Sequence, residues 1–97
     1  TCRINWNKPL NEIYNLARGL SPYPAAFTEL DGKKLKIFSA QKIPGTTSQP
    51  GIMETDKRTY LRFTCPDGML DILSLQLEGK KRMDTADFLR GYRFEEN

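Results

Sequence analysis

The stretch AFTELDGKKLKIFSA, residues 26–40, decides the fold. Ala26 to Leu30 reads as a strand. Asp31-Gly32 is the pair favoured at a two-residue hairpin turn, whose central residues both need positive φ. In the return strand, Lys34 to Ala40, Leu35 and Ile37 fall on one face and Lys34 and Lys36 on the other. A period of two with an apolar face and a cationic face describes an antiparallel sheet, packed on one side and wet on the other.

Upstream the period changes. Leu10, Ile13, Tyr14 and Ala17 recur at helical spacing, so a helix is expected over about residues 8 to 18. Asn7 is read as its cap, Pro9 as a first-turn residue and Gly19 as its stop, with Pro22 and Pro24 preventing continuation. Downstream, KIPGTTSQP (residues 42–50) reads as a loop, Gly51 to Glu54 as a short strand, TDKR as a turn and Thr59 to Thr64 as another strand. After the CPDG turn, Met69 to Leu77 is the longest strand. Leu73, Leu75 and Leu77 share one phase there, and Leu70 and Ile72 the other, so either both faces are buried or a bulge shifts the register. Asp84 then caps a short helix carrying Phe88, Leu89 and Tyr92, with Asp87 favouring its dipole, and the last four residues read as a fraying tail. The expected fold is mainly β with two flanking short helices: a small OB-like antiparallel barrel, closed or partly open.

Composition narrows the chemistry. A chain of 97 residues fits one domain with one core. It starts at Thr1 without an initiator Met, which reads as a domain cut from a longer protein. No apolar run approaches the ~20 residues of a membrane span. There is no His, and the two cysteines, Cys2 and Cys65, lack neighbours at metal-ligand spacing. A Cys/His zinc site and Ser-His-Asp or Cys-His catalysis are therefore excluded within this chain. The 12 acids are scattered and form no close pair suited to general acid–base work. The chain is read as non-catalytic on its own, without metal or cofactor. Two free thiols fit a reducing cytoplasm, and a Cys2–Cys65 disulfide is the alternative.

The net charge is only +3, but it is unevenly placed. From Gly32 to Met53 there is no acid, while Lys33, Lys34, Lys36 and Lys42 fall there. Lys57, Arg58 and Arg62 form a second group, Lys80, Lys81 and Arg82 a third, and Arg90 and Arg93 a fourth. Four clusters in so small a chain suggest a basic face, and a small barrel with such a face is a frequent carrier of nucleic acid. Ordinary solvated strand residues remain the alternative for Lys33, Lys34 and Lys36. Arg18 and Arg90 follow apolar helix stripes and read as buried ion-pair partners. Trp6, Tyr23 and Phe27 read as core or interdomain packing more than as stacking platforms for bases.

Several segments in order carry a resemblance. INWNKP leads into EIYNLARGLSPYPAAFTEL, then GKKLKIFSA, and finally DGMLDILSLQLEGKKRMDTADFLRGYR. The set, above all LQ-x-x-GKK-x-M followed by FLRGYR, resembles the C-terminal domain of the methionyl-tRNA formyltransferases across about Ile4 to Arg93. The resemblance implies a barrel joined covalently to an N-terminal formyltransferase domain that is absent here. That domain would carry the catalytic Asn, His and Asp and use 10-formyltetrahydrofolate to formylate the methionyl group of initiator tRNA. This segment would orient the tRNA through its basic surface. Lys34, Lys36, Lys42, Lys80, Lys81, Arg82, Arg90 and Arg93 are the expected tRNA-binding residues. Lys34 and Lys36 would stand about 7 Å apart along a strand, close to a phosphate spacing. The alternatives are a structural barrel of another 10-formyltetrahydrofolate-dependent formyltransferase or hydrolase without RNA affinity, and an OB-like adaptor for protein, which would need an exposed apolar patch.

Overall fold

The computed structural model describes residues 2–21, 23–46 and 49–93. Strand β1 (Ala26–Leu30) pairs antiparallel with β2 (Lys33–Pro44). Asp31 and Gly32 between them both hold positive φ, 52° and 78°, as the turn chemistry requires. Strands β3 (Met53–Thr55), β4 (Leu61–Cys65), β5 (Gly68–Leu77) and β6 (Met83–Asp84) complete a six-stranded sheet in the order β1-β2-β5-β4-β3, with β6 also on β5. Helix α1 (Leu10–Leu20) precedes the sheet and α2 (Thr85–Gly91) follows it. The result is a mainly β, antiparallel, curled half-barrel with two short helices.

The phase conflict in the longest strand is resolved by irregular pairing. Ile37 pairs with Leu75, Ser39 with Ser74 and Ala40 with Ile72, so the register shifts on both sides of Ser39. Leu70 and Ile72 point inward before the shift, Leu75 and Leu77 after it, and Leu73 is left 43% exposed. A bulge lets the strand bend round the core while keeping its large side chains inside. The Ser39 and Ser74 hydroxyls, 2.8 Å apart, satisfy each other at this point.

Several expected boundaries move: β3 starts at Met53 rather than Gly51 and β4 at Leu61 rather than Thr59. β2 continues through Lys42 and Ile43, paired with Leu70 and Met69, and ends at Pro44, where a missing N–H is tolerated. α1 begins at Leu10 and runs through Gly19 to Leu20. Asn7 does not cap it; the Asn7 N–H is held by Asn5 Oδ1 at 3.0 Å. The cap comes from the β4–β5 turn, where Asp67 Oδ1 accepts the Leu10 N–H at 2.8 Å. Of the two prolines read as helix breakers, Pro22 lies outside the described residues, and Pro24 follows a cis peptide bond from Tyr23.

Leu35, Ile37, Leu61, Leu70, Ile72, Leu75 and Leu77 are fully buried, and α1 adds Leu10, Ile13 and Ala17 while α2 adds Phe88 and Leu89. Each such aliphatic side chain contributes about 1.5–3 kcal/mol of burial. Thr85 ties α2 down by donating its hydroxyl hydrogen to the Ile72 carbonyl at 2.7 Å. Trp6 packs on this core, stacked on Phe63 at 4.9 Å, with its indole N–H donated to Thr28 Oγ1 at 3.0 Å. Tyr23 is not a core residue: it is 86% exposed, which leaves interdomain packing as the remaining part of its reading. Cys2 and Cys65 are not joined in a disulfide, the first being half-buried and the second buried. The tail expected to fray, residues 94–97, lies outside the described residues. Among the described residues no helix is long and apolar enough to cross a membrane.

Candidate nucleic-acid interface

The hairpin alternation that buries Leu35 and Ile37 turns Lys34 and Lys36 outward together. Lys34 is exposed and Lys36 half-buried. Lys36 pairs across the sheet with Phe27 on β1 and Gln76 on β5, and the Lys34 ammonium lies 4.5 Å from the Phe27 ring centroid. That contact holds a cation over an aromatic face, and among the described residues no carboxylate pairs with its ammonium. Lys34, Lys36, Gln76, Leu77, Glu78 and Gly79 line an open groove of about 360 Å³. Its end is closed by reciprocal bonds: the Lys34 N–H donates to Glu78 Oε1 at 3.0 Å, and the Glu78 N–H to the Lys34 carbonyl at 2.8 Å.

The GKKR corner reaches the same groove through Gly79. Gln76 Nε2 donates to the Lys80 carbonyl at 2.9 Å, and the Lys80 N–H bonds the Leu77 carbonyl at 2.9 Å, so the loop after β5 is folded back against the strand. Lys80 and Lys81 remain exposed. Arg82 lies over Phe38 of β2, its guanidinium carbon 4.3 Å from the ring centroid. Residues from two distant stretches, Lys34 and Lys36 in one and Lys80 to Arg82 in the other, are thus brought beside each other.

The other expected residues stand apart. Lys42 is near the far end of β2, about 25 Å from Lys34 by strand rise. Its ammonium donates to Asn11 Oδ1 at 2.9 Å and lies 5.1 Å from the Tyr14 ring centroid. Arg90 is exposed and pairs with Asp87 one turn earlier, so its expected ion pair exists but is not buried. Arg93 is exposed, next to Tyr92, whose hydroxyl donates to Asp31 at the hairpin tip.

Arg18 was misread. It is exposed rather than buried, bonds Asn15 Oδ1 at 3.4 Å and lies 5.9 Å from the Tyr14 ring, which it shares with Lys42. The signal was present in the Tyr14-x-x-x-Arg18 spacing, which places the two side chains on one helix face. From the second basic group, Arg62 is committed elsewhere. It stacks on Tyr60 at 4.1 Å and its Nε donates to Asp71 Oδ1 at 3.3 Å, beside the Gln41 amide on Asp71 Oδ2 at 2.6 Å.

Asp56 accepts from the Thr59 hydroxyl and from the backbone N–H groups of Arg58, Thr59 and Tyr60, which pull its carboxyl well below the ordinary carboxylate range. This is turn architecture. Among the described residues no cluster of His, Cys, Asp and Glu could hold a metal ion.

Comparison with known proteins gives the same family as the motifs. The model of the formyl transferase C-terminal domain matches residues 1–93. A methionyl-tRNA formyltransferase of Phocaeicola vulgatus is 50% identical, aligned over 100% of this chain and 32% of that protein. One from Parabacteroides distasonis is also 50% identical, over 96% of this chain and 31% of its own length. The chain thus spans about a third of the length of these curated relatives. In fold it is similar to HypX from Aquifex aeolicus, solved in complex with tetrahydrofolic acid, with a TM-score of 0.71, 17% identity, and coverage of 97% of this chain and 18% of that one. The chain belongs to the formyl transferase C-terminal domain family.

Proposed function

We propose that this chain is the C-terminal, RNA-holding domain of a cytoplasmic methionyl-tRNA formyltransferase. It binds and orients initiator Met-tRNA, while a covalently linked N-terminal domain transfers formyl from 10-formyltetrahydrofolate to the methionyl amino group. The observation that carries this is the meeting of Lys34 and Lys36 with the Lys80–Arg82 loop on one outer face, in a chain whose relatives are methionyl-tRNA formyltransferases. Lysine and arginine on a shallow face neutralise phosphates and release counterions, which positions an RNA without reading its sequence.

The test is binding of the chain to initiator methionyl-tRNA over a range of salt, beside the variant Lys34→Gln/Lys36→Gln/Arg82→Gln. Three lost phosphate contacts lower the slope of log affinity against log salt by about 2–3. An unchanged slope overturns the assignment of these residues. One observation favours a second reading, a purely structural barrel in another 10-formyltetrahydrofolate enzyme: Glu29 and Glu78 stand among the lysines at this end of the sheet. That reading predicts no salt-dependent binding at all.

A further inference from the structure

A second recess lies further along β2, where α1 crosses the bulge. Tyr14, Ala17, Arg18, Ser21, Phe38, Ser39 and Ala40 line a cleft of about 250 Å³. Unlike the Lys34 groove, it has no carboxylate among its described lining residues. Three cations converge on its aromatic walls: Arg18 and Lys42 on Tyr14, at 5.9 and 5.1 Å, and Arg82 on Phe38, at 4.3 Å. Two alanines leave room beside those rings, and Ser21 adds a hydroxyl to the lining. Its volume is somewhat below that of pockets for drug-sized ligands, which suits a single planar group.

We infer that this cleft takes one unpaired nucleotide of the bound RNA, its base against the partly exposed Tyr14 ring and its phosphate among Arg18, Lys42 and Arg82. The inference rests on the RNA-binding reading above and deepens it. Aromatic walls bordered by cations are the general means by which proteins hold unstacked bases, because every base offers a π face. A base-paired stem cannot enter a recess of this size, so the cleft distinguishes paired from unpaired RNA, whereas the Lys34 groove responds to backbone charge alone. The β2 bulge gives the cleft its shape, since the shifted register at Ser39 sets Phe38, Ser39 and Ala40 against the helix.

The experiment compares two RNA probes on the 97-residue chain at low salt: a fully paired blunt duplex, and the same duplex with one bulged 2-aminopurine nucleotide. The expected result is roughly tenfold tighter binding of the bulged probe, with quenching of its fluorescence. In Tyr14→Leu and in Arg18→Gln the ratio of the two affinities falls towards one. Arg18 is exposed, so its variant keeps the test valid should Tyr14→Leu disturb the fold. Equal affinity of the unaltered chain for both probes, with no quenching, overturns the nucleotide pocket and leaves the phosphate-binding face standing. Failure to bind either probe or initiator tRNA overturns the RNA reading itself, and the pocket with it.

Discussion

Gly68 opens β5 opposite Pro44, and a single methyl group there should be costly. A Cβ built on Gly68 would stand 2.4 Å from the Ile43 carbonyl oxygen, 2.9 Å from Leu10 Cδ2 and 3.0 Å from Pro44 Cα. Two of these three atoms are backbone of the paired strand and cannot rotate aside. The third belongs to a buried side chain in the first turn of α1. Overpacking of this kind costs about 1–3 kcal/mol, and the positive φ of 156° adds backbone strain of about 1–3 kcal/mol. For a domain of this size each kcal/mol lowers Tm by about 4–8 °C, so a total near 3 kcal/mol in Gly68→Ala should lower it by roughly 12–24 °C. Gly79→Ala is the control. Gly79 has φ 86° and nothing within 4 Å of a built Cβ, so that variant carries the strain without the clash. Both substitutions stiffen the unfolded chain equally, and that contribution cancels in the comparison. Thermal unfolding followed by circular dichroism measures the pair. A Gly68→Ala variant no less stable than Gly79→Ala would show that the Ile43–Pro44 segment yields, and the steric reasoning would be wrong.

Three further outcomes follow from particular contacts. Asp67→Ala removes the side-chain oxygen that caps α1 and should cost about 1 kcal/mol, whereas Asp67→Asn keeps an acceptor and should cost less; chemical denaturation separates the two. Asp56 has its folded pKa depressed by the Thr59 hydroxyl first and then by backbone N–H groups. Its contribution to stability is therefore complete above the unfolded value near 3.9 and is lost as pH falls through the lower folded value, and Asp56→Ala should flatten that acid limb in pH-dependent unfolding. Burial pushes the Cys65 thiol up, so in the native chain a thiol reagent at mildly alkaline pH should label Cys2 rapidly and Cys65 only on unfolding; equal rates would contradict the placement of Cys65.

The hairpin was legible in the sequence because Asp31-Gly32 and the Leu35/Ile37 alternation are local signals, and β1 formed over the residues read for it, Ala26–Leu30. The phase conflict in β5 was also legible, but only as a choice, since burial on both faces and a bulge leave the same residue pattern. The α1 cap was not legible. Asn7 had the right chemistry at the right distance, but the partner that took the Leu10 N–H came from Asp67 across the fold, and no local rule points there. The reach of β2 past Ala40 was missed for a similar reason: Pro44 and Gly45 look like loop, while the pairing of Gln41 to Pro44 with Asp71 to Gly68 comes from another strand. At the candidate site, each basic cluster could be read singly. What could not be read was adjacency, because Gln76 folding the Lys80 carbonyl back onto β5 is what sets the GKKR corner beside Lys34 and Lys36.

That adjacency changes what the cations can do on the proposed reading. Lys34 and Lys42 are about 25 Å apart along β2, more than two Debye lengths at physiological salt, so they do not reinforce each other through space. Each meets its own phosphate, and affinity accumulates contact by contact along the strand. Lys34 and Lys36 stand about 7 Å apart by strand rise, inside one screening length, so phosphate is attracted to the pair as a whole. Two consequences separate these regimes. Removing Lys42 alone should lower the salt slope by about one unit or less and leave the effect of removing Lys34 and Lys36 at the other end unchanged. Removing Lys34 and Lys36 together should differ from the sum of the two single variants, because each cation raises the local phosphate concentration felt by its neighbour. Additivity at both ends would mean that every cation acts alone, and the groove would then be a row of separate charges.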